Sequence, residues 1–478
     1  MGFITGKQNL STAVDETFGK TQNVFQVFSA LILRGGFILI QLGSIPTEDI
    51  STILMQNVVD VAVSLLSFIS IGFIFAFGDK SKTGVVGYGS WISLRTKQAQ
   101  RAAILGCTAS LIGSSVKTTL LSARLHFVAY LLSSFLYSGF CQPFIMHWLW
   151  HEKGWMRKIP FLNHSGYLRD HGGNLTVHTS SSLSGLVGSI FLGRRLLRLK
   201  ELDPSSIGTE SSGISLLGYF LIASGLITFN VFNAVNGESV AILINDLIAV
   251  GTGLLAVAFV EYVKSRAGFN HWVILRCSQG AVASLVIIGN GIDVYSPLVT
   301  FFVAFLGAIT YYFCALFVYK SSLEDYCNIV STHLLTGILG FLLPPLVSKN
   351  SRWGNATSVE QRCIHFIWHA LFVMVVMVFT VSLFTTLFLT LNSIGLLRNK
   401  LETISHERSE YAADRTRVKC CLRRLFAKND FYIAPGHSRR NLSLSKNICL
   451  HEGDSVVQGK SFFRDTAPES LNVMATGS

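Results

Sequence analysis

Charge is scarce in this chain. Only 14% of its 478 residues are Asp, Glu, Lys or Arg, against about 25% in a soluble globular domain. That shortage excludes an ordinary soluble enzyme and a disordered scaffold alike. Proline is scarce too, with nine residues against 41 glycines, which excludes a collagen-like or Pro-rich chain. The first twenty residues are polar and lack the apolar run of a secretory signal peptide. The opening MGFITGK places Gly6 where a myristoylation motif needs Ser or Thr. The nine cysteines form no framework: Cys107, Cys141, Cys277 and Cys314 stand singly in apolar stretches, where a thiol acts as a small hydrophobe. Cys420 and Cys421 read as a reduced pair or an acylation site. What the chain does have is apolar bulk. Half of it is hydrophobic and the mean hydropathy is +0.47, the composition of a polytopic membrane protein.

The net charge of +12 would suggest nucleic acid in a soluble protein. Here much of it lies near the C-terminus, at Arg415, Arg417, Lys419, Arg423, Arg424 and Lys428, where a basic tail meets anionic headgroups rather than nucleic acid. A bilayer crossing takes on the order of 20 apolar residues. Runs of that kind fall near 24–43, 56–77, 102–121, 126–149, 174–193, 213–234, 240–263, 272–290, 298–319, 329–347 and 364–392. The expected fold is therefore all-α, with eleven transmembrane helices and termini on opposite faces. Three segments follow: 1–23 outside the membrane, 24–397 within it, and a basic cytosolic tail at 398–478, largely disordered after about 428. The sequons at Asn9, Asn163 and Asn355 fall on the side of the N-terminus, which places that side outside.

Ionisable residues inside a span are expensive and point to function. The fifth run carries Asp170 and, eight residues on, His178; the tenth carries Asp325 and, again eight residues on, His333. That recurrence reads as an internal repeat. Two halves of five spans in opposite directions around a central pore would make His178 and His333 counterparts near the midplane. The bland alternatives are helix capping by the aspartates and hydrogen-bonded packing by the histidines. His147 and His151 have the i, i+4 spacing of metal ligands without a third ligand. No metal or other cofactor is expected, and no Ser/His/Asp set suggests an enzyme.

Several motifs in order carry a family likeness: SGFCQPFIMHWLW (138–150), DHGGNLTVHTSSSLSGLVGSIFLGRR (170–195), FLIASGLITFN (220–230), GNGIDVYSP (289–297) and LEDYCNIVSTHLLTGILG (323–340). Over roughly 24–412 the chain resembles the ammonium transporter/Rhesus superfamily, most closely its ammonium transporter branch. The resemblance implies a homotrimer in the plasma membrane with one pore per protomer, moving ammonium or ammonia. It implies an outer cation site at Trp150 backed by Asp170, a pore lined by His178 and His333, and a gate phenylalanine at Phe229. Trp150 favours this branch over a Rhesus-like gas channel.

The chain also departs from the family pattern. A gap-free count puts Ala109 where the first gate phenylalanine belongs, Asn233 where the outer-site Ser belongs, and Ala123 in place of a Glu. The usual Glu-His-Gly of the tail reads Ser405-His406-Glu407. Arg34 and Lys117 interrupt the first and third spans. Lys117 is expected either to face the pore and repel a cation or to snorkel to an interface. These departures keep open a transport-impaired sensor or a regulatory subunit of a mixed trimer.

Overall fold

The computed structural model describes residues 2–45, 50–89, 91, 96–157, 168–193, 211–232, 239–265, 271–321, 323–347 and 358–399. All belong to the unit Met1–Asn429. Among them no strand forms; isolated bridges join Lys80 to Tyr88 and Leu125 to Arg398.

Helices occupy the apolar runs. In chain order α1 is Gly2–Ser44, and α2 is Ile50–Ser67, continued by Phe68–Gly72 in π form and Phe73–Phe77. Next, α3 is Lys97–Leu121, and α4 is Phe127–Leu136, continued by the π turn Tyr137–Cys141 and Gln142–Trp150. A π turn, Asn174–Thr179, opens α5, which runs on as Ser180–Leu192. Then come α6 (Ser212–Phe232), α7 (Ser239–Ser265), α8 (His271–Ile288) and α9 (Pro297–Lys320). Another π turn, Val330–Leu335, opens α10, which continues as Thr336–Leu342 and the short Pro344–Val347; α11 is Val359–Ser393.

Eight of these, α1 to α4, α6, α7, α9 and α11, are long and apolar enough to cross a membrane. The protein is thus all-helical and multi-pass. By the same measure α5, α8 and α10 fall short. For α5 the physical reason is plain: its Ser180, Ser181, Ser182 and Ser184 are all buried, so it is a polar helix inside the bundle rather than an apolar one against lipid.

Polar side chains mark where helices start. Thr96 accepts a hydrogen bond from the Ala99 amide, Ser296 from Val299 and Ser358 from Gln361, each filling an orphan donor of a first turn. Small residues let helices meet. A Cβ on Gly36 of α1 would come within 2.6 Å of the Gly218 carbonyl oxygen on α6, so these backbones touch as no larger residue would allow. One apolar core, including Phe37, Ala109, Val116, Val177, Phe229, Ile287 and Val330, joins α1, α3, α5, α6, α8 and α10. A second, including Tyr137, Val187, Phe341, Phe384 and Phe388, seats α11 against α4 and α5.

The start of the expected tail is ordered on the bundle: the His126 amide donates to the Leu397 carbonyl (2.9 Å) and the Asn399 amide to the Arg124 carbonyl (3.2 Å). Residues 400–478, with Ser405, His406 and Glu407, lie outside the described residues.

Candidate functional site: a histidine pair between two π turns

The π turns that open α5 and α10, Asn174–Thr179 and Val330–Leu335, each start at a capping aspartate. Asp170 accepts hydrogen bonds from the Leu175 amide on Oδ1 (3.2 Å) and the Thr176 amide on Oδ2 (2.8 Å). Asp325 accepts from Ile329 on Oδ1 (2.9 Å) and Val330 on Oδ2 (2.8 Å). Carboxylates at these starts satisfy free N–H groups and suit the helix dipole. Gly173, at φ 70°, turns the chain into the first π turn, and its carbonyl accepts from both Val177 (2.7 Å) and His178 (3.0 Å). Thr179 Oγ1 donates to the Asn174 carbonyl five residues back (2.7 Å), which closes the wide turn from the side. A π turn displaces the side chains it carries from the α-helical stripe, and such turns recur at functional sites.

The displacement brings His178 and His333 together. Their Nδ1 atoms are 3.2 Å apart, their ring centroids 5.1 Å, and their planes 20° from parallel. Both are buried, with Phe37 against His333 at 5.6 Å between centroids. Such a contact requires one Nδ1 to donate and the other to accept, so the pair shares one hydrogen.

Trp150, Asp170 and Phe229 gather at the start of the turn that carries His178. Trp150, half-buried, donates its indole N–H to the Asp170 carbonyl at 3.0 Å. Asp170 therefore holds Trp150 with its backbone while its carboxylate serves the π turn. Phe229 is buried beside Gly173, where a Cβ would sit 3.6 Å from its ring. Asn233 lies outside the described residues. Ala109 is fully buried in the same core as Phe229, and its carbonyl accepts from Gln142 at 2.9 Å.

Lys117 does not snorkel: it is fully buried beside Asp60 of α2, with Nζ 3.7 Å from Oδ1. Arg34 is buried on the same carboxylate, 2.6 Å from Oδ2. The desolvation that should exclude both cations is offset by a counter-ion and by hydroxyls. Arg34 donates to Ser114 (2.9 Å), Ser115 (3.0 Å) and Asn57 Oδ1 (3.1 Å). Lys117 donates to Ser134 (2.9 Å), whose own hydroxyl donates to Asp60. Asp60 was the partner to find, a lone carboxylate within NVVDVAVSLL, and the signal was there: an acid in one span answers two bases in others.

His147 and His151 stack at 4.5 Å, but the His147 ring nitrogens are engaged by the Ala76 carbonyl (3.0 Å) and Ser81 Oγ (3.1 Å). Burial, with His147 and Lys153 nearby, pushes the His151 imidazole down to about 4. Next to Ala123, Arg124 is seated by the Gly193 and Leu120 carbonyls, by Ser189 and by Glu324 at 3.7 Å. Also absent from the sequence reading is a chain of contacts beside Phe229: the His171 ring meets the Asn230 carbonyl (3.2 Å), and Asn230 donates to buried Asp246 (2.9 Å).

Comparison with known proteins settles the class. The profile of the Ammonium Transporter Family matches residues 23–415. The chain belongs to that family. Relatives include ammonium transporter 1 member 3 of Solanum lycopersicum, 25% identical over 355 residues, covering 70% of this chain and 76% of that protein. Ammonium transporter 3 of Dictyostelium discoideum is 23% identical over 337 residues, covering 68% of this chain and 74% of that protein. Among solved structures, a sensor Amt protein superposes with a TM-score of 0.70 at 19% identity, over 82% of this chain and 97% of its own. Mep2 of Saccharomyces cerevisiae superposes at 0.67 with 18% identity, over 80% and 89%. These superpositions establish the fold of this family member, a polytopic helical membrane protein.

Proposed function

We propose that this chain conducts ammonium nitrogen across the membrane through a pore lined by His178 and His333. The observation that carries this reading is the 3.2 Å contact between two buried imidazoles, each delivered by its own capped π turn. An ammonium ion is costly to strip of water, whereas ammonia is small and neutral. Trp150, backed by Asp170, recruits the cation by its aromatic face and a nearby carboxylate. The proton leaves at or above the pair, and the shared hydrogen between the rings lets them accept or relay it while ammonia passes. Apolar neighbours such as Val177, Phe37 and Ile287 offer nothing to replace the hydration shell of potassium or sodium. The assembly proposed is a homotrimer in the plasma membrane, N-terminus outside and tail in the cytosol.

A second reading, a transport-impaired sensor or a regulatory subunit of a mixed trimer, is favoured by Ala109 in place of the first gate ring and by the buried cations at Arg34 and Lys117. Growth of a yeast strain without its own ammonium transporters, on low ammonium, separates the two. Rescue by the wild type but not by His178→Ala supports the pore. No rescue by wild-type protein detected at the cell surface favours the second reading.

A further inference from the structure

The carboxylates buried among the described residues are answered in two ways. Asp60, Glu261, Asp293 and Glu324 each face an Arg. Asp170 and Asp325 spend both oxygens on backbone amides. Asp246, fully buried on α7, has neither answer. Its Oδ1 accepts from Asn230 Nδ2 at 2.9 Å, and its Oδ2 has no hydrogen-bond partner. A buried carboxylate oxygen left in that state is costly. A proton on Oδ2 would cancel the charge but would itself need an acceptor. What the oxygen calls for is a donor that carries positive charge.

A second open acceptor stands on the preceding residue. Asn245, also buried, donates through Nδ2 to the Ile292 carbonyl (2.9 Å) and the Tyr295 carbonyl (3.1 Å). Those two bonds fix which way its amide points, and its Oδ1 is left without a partner. Two buried acceptors on successive residues thus lack a donor. Hydrogen bonds tie Asp246 to the candidate site. Asn230, its partner, follows Phe229 on α6, and the Asn230 carbonyl meets the His171 ring at 3.2 Å. His171 follows Asp170, whose carbonyl takes the Trp150 indole N–H at 3.0 Å.

We propose that Asp246 anchors a buried site for one monovalent cation between α6 and α7, with Asn245 as a neutral acceptor beside it, and that the cation is ammonium. Sodium and potassium fit the group less well, because an alkali ion needs a ring of oxygens in place of its water. An ammonium is held by a few directional N–H bonds, and the charge-assisted one to a carboxylate is the strongest kind. The choice of ammonium rests on the transport reading above. On that reading Asp246 is a second station for the cation, separate from the Trp150 face and joined to it through Asn230 and His171.

The test is the melting temperature of the detergent-solubilised full chain in ammonium chloride, against sodium chloride and potassium chloride at equal ionic strength. A ligand that binds only the folded state raises melting as its concentration rises. Trp150→Ala serves as the background, so that the outer aromatic does not contribute. That protein is expected to melt higher as ammonium rises and not as sodium or potassium rises. Adding Asp246→Asn, which keeps an oxygen for Asn230 and removes the charge, should abolish the rise. If the doubly substituted protein does not fold, Asp246→Ser, whose hydroxyl also accepts from Asn230, carries the same expectation. An equal rise in all three salts, no rise in Trp150→Ala, or a rise that survives loss of the carboxylate overturns the site. None of these outcomes touches the transport reading, which the yeast growth test decides. Failure of rescue beside an intact, Asp246-dependent rise removes transport and leaves the site.

Discussion

Asp170 and Asp325 stand in the same relation to two different histidines. Each lies eight residues before its His and spends both carboxylate oxygens on amides at the start of the helix that carries it, Leu175 and Thr176 for Asp170 and, one position earlier in register, Ile329 and Val330 for Asp325. The histidine pair is thus held from two ends by one device used twice.

The first prediction concerns that device. Asp170→Ala and Asp325→Ala each remove two accepted hydrogen bonds at a helix start, which costs about 1 to 2 kcal/mol. Thermal unfolding of the detergent-solubilised protein should show both variants melting below the wild type, by similar amounts. Unshifted melting in either would mean that water replaces the carboxylate at no cost.

Truncating a ring should act on flux more than on folding. On the proposed reading, His178→Ala and His333→Ala are each expected to lower ammonium uptake by about tenfold or more at equal surface expression, since a polar stepping stone in a dry conduit would be lost. The double variant should be little worse than either single one, because the two rings share one hydrogen and act as a unit. Wild-type uptake from both single variants would remove the pair from the mechanism.

Asp60→Ala should be the most damaging change to the bundle. It strands two buried cations, and breaking a buried ion pair from one side costs about 3–5 kcal/mol. Replacing Arg34, Asp60 and Lys117 together by Met, Leu and Met should recover much of that loss. Surface yield and melting temperature of the single and triple variants decide it: a single variant as stable as wild type would show that the charges are not buried as described.

Gly340→Ala probes the close approach of α10 to α8. A Cβ there would meet the Ile287 carbonyl oxygen at 2.5 Å, and overpacking of this kind costs about 1–3 kcal/mol. Gly251→Ala on α7 is the internal control. Nothing lies within 4 Å of its Cβ, and an alanine in a helix interior is favoured by up to about 1 kcal/mol. Opposite shifts in melting temperature are expected, and equal shifts would contradict the packing.

Much of this was written in the sequence. Long apolar runs specify the long helices because a bilayer demands about 20 residues of them, and the repeated Asp-to-His spacing foretold that His178 and His333 belong together. What it hid is equally instructive. Composition cannot tell Lys117 facing a pore from Lys117 facing Asp60, because the answer depends on which helices are neighbours. The π turns were invisible for a related reason: Asn174–Thr179 and Val330–Leu335 have no residue pattern of their own and exist because capped starts and packed histidines hold them open. Asp246 escaped notice because its partner, Asn230, lies on a helix that pattern alone does not place beside it.

Asn174 opens the first π turn, and its side-chain nitrogen donates to the Val286 carbonyl on α8 (2.8 Å) and the Gly337 carbonyl on α10 (3.4 Å). One amide therefore rivets three helices together within a turn of each histidine. On the proposed transport reading, a wall fastened in this way is expected to stay put during passage, so that the pace of traffic is set by how fast the permeant sheds and regains its surroundings. Warming should then quicken uptake only about as steeply as it quickens diffusion, the behaviour of a fixed opening rather than of a moving carrier.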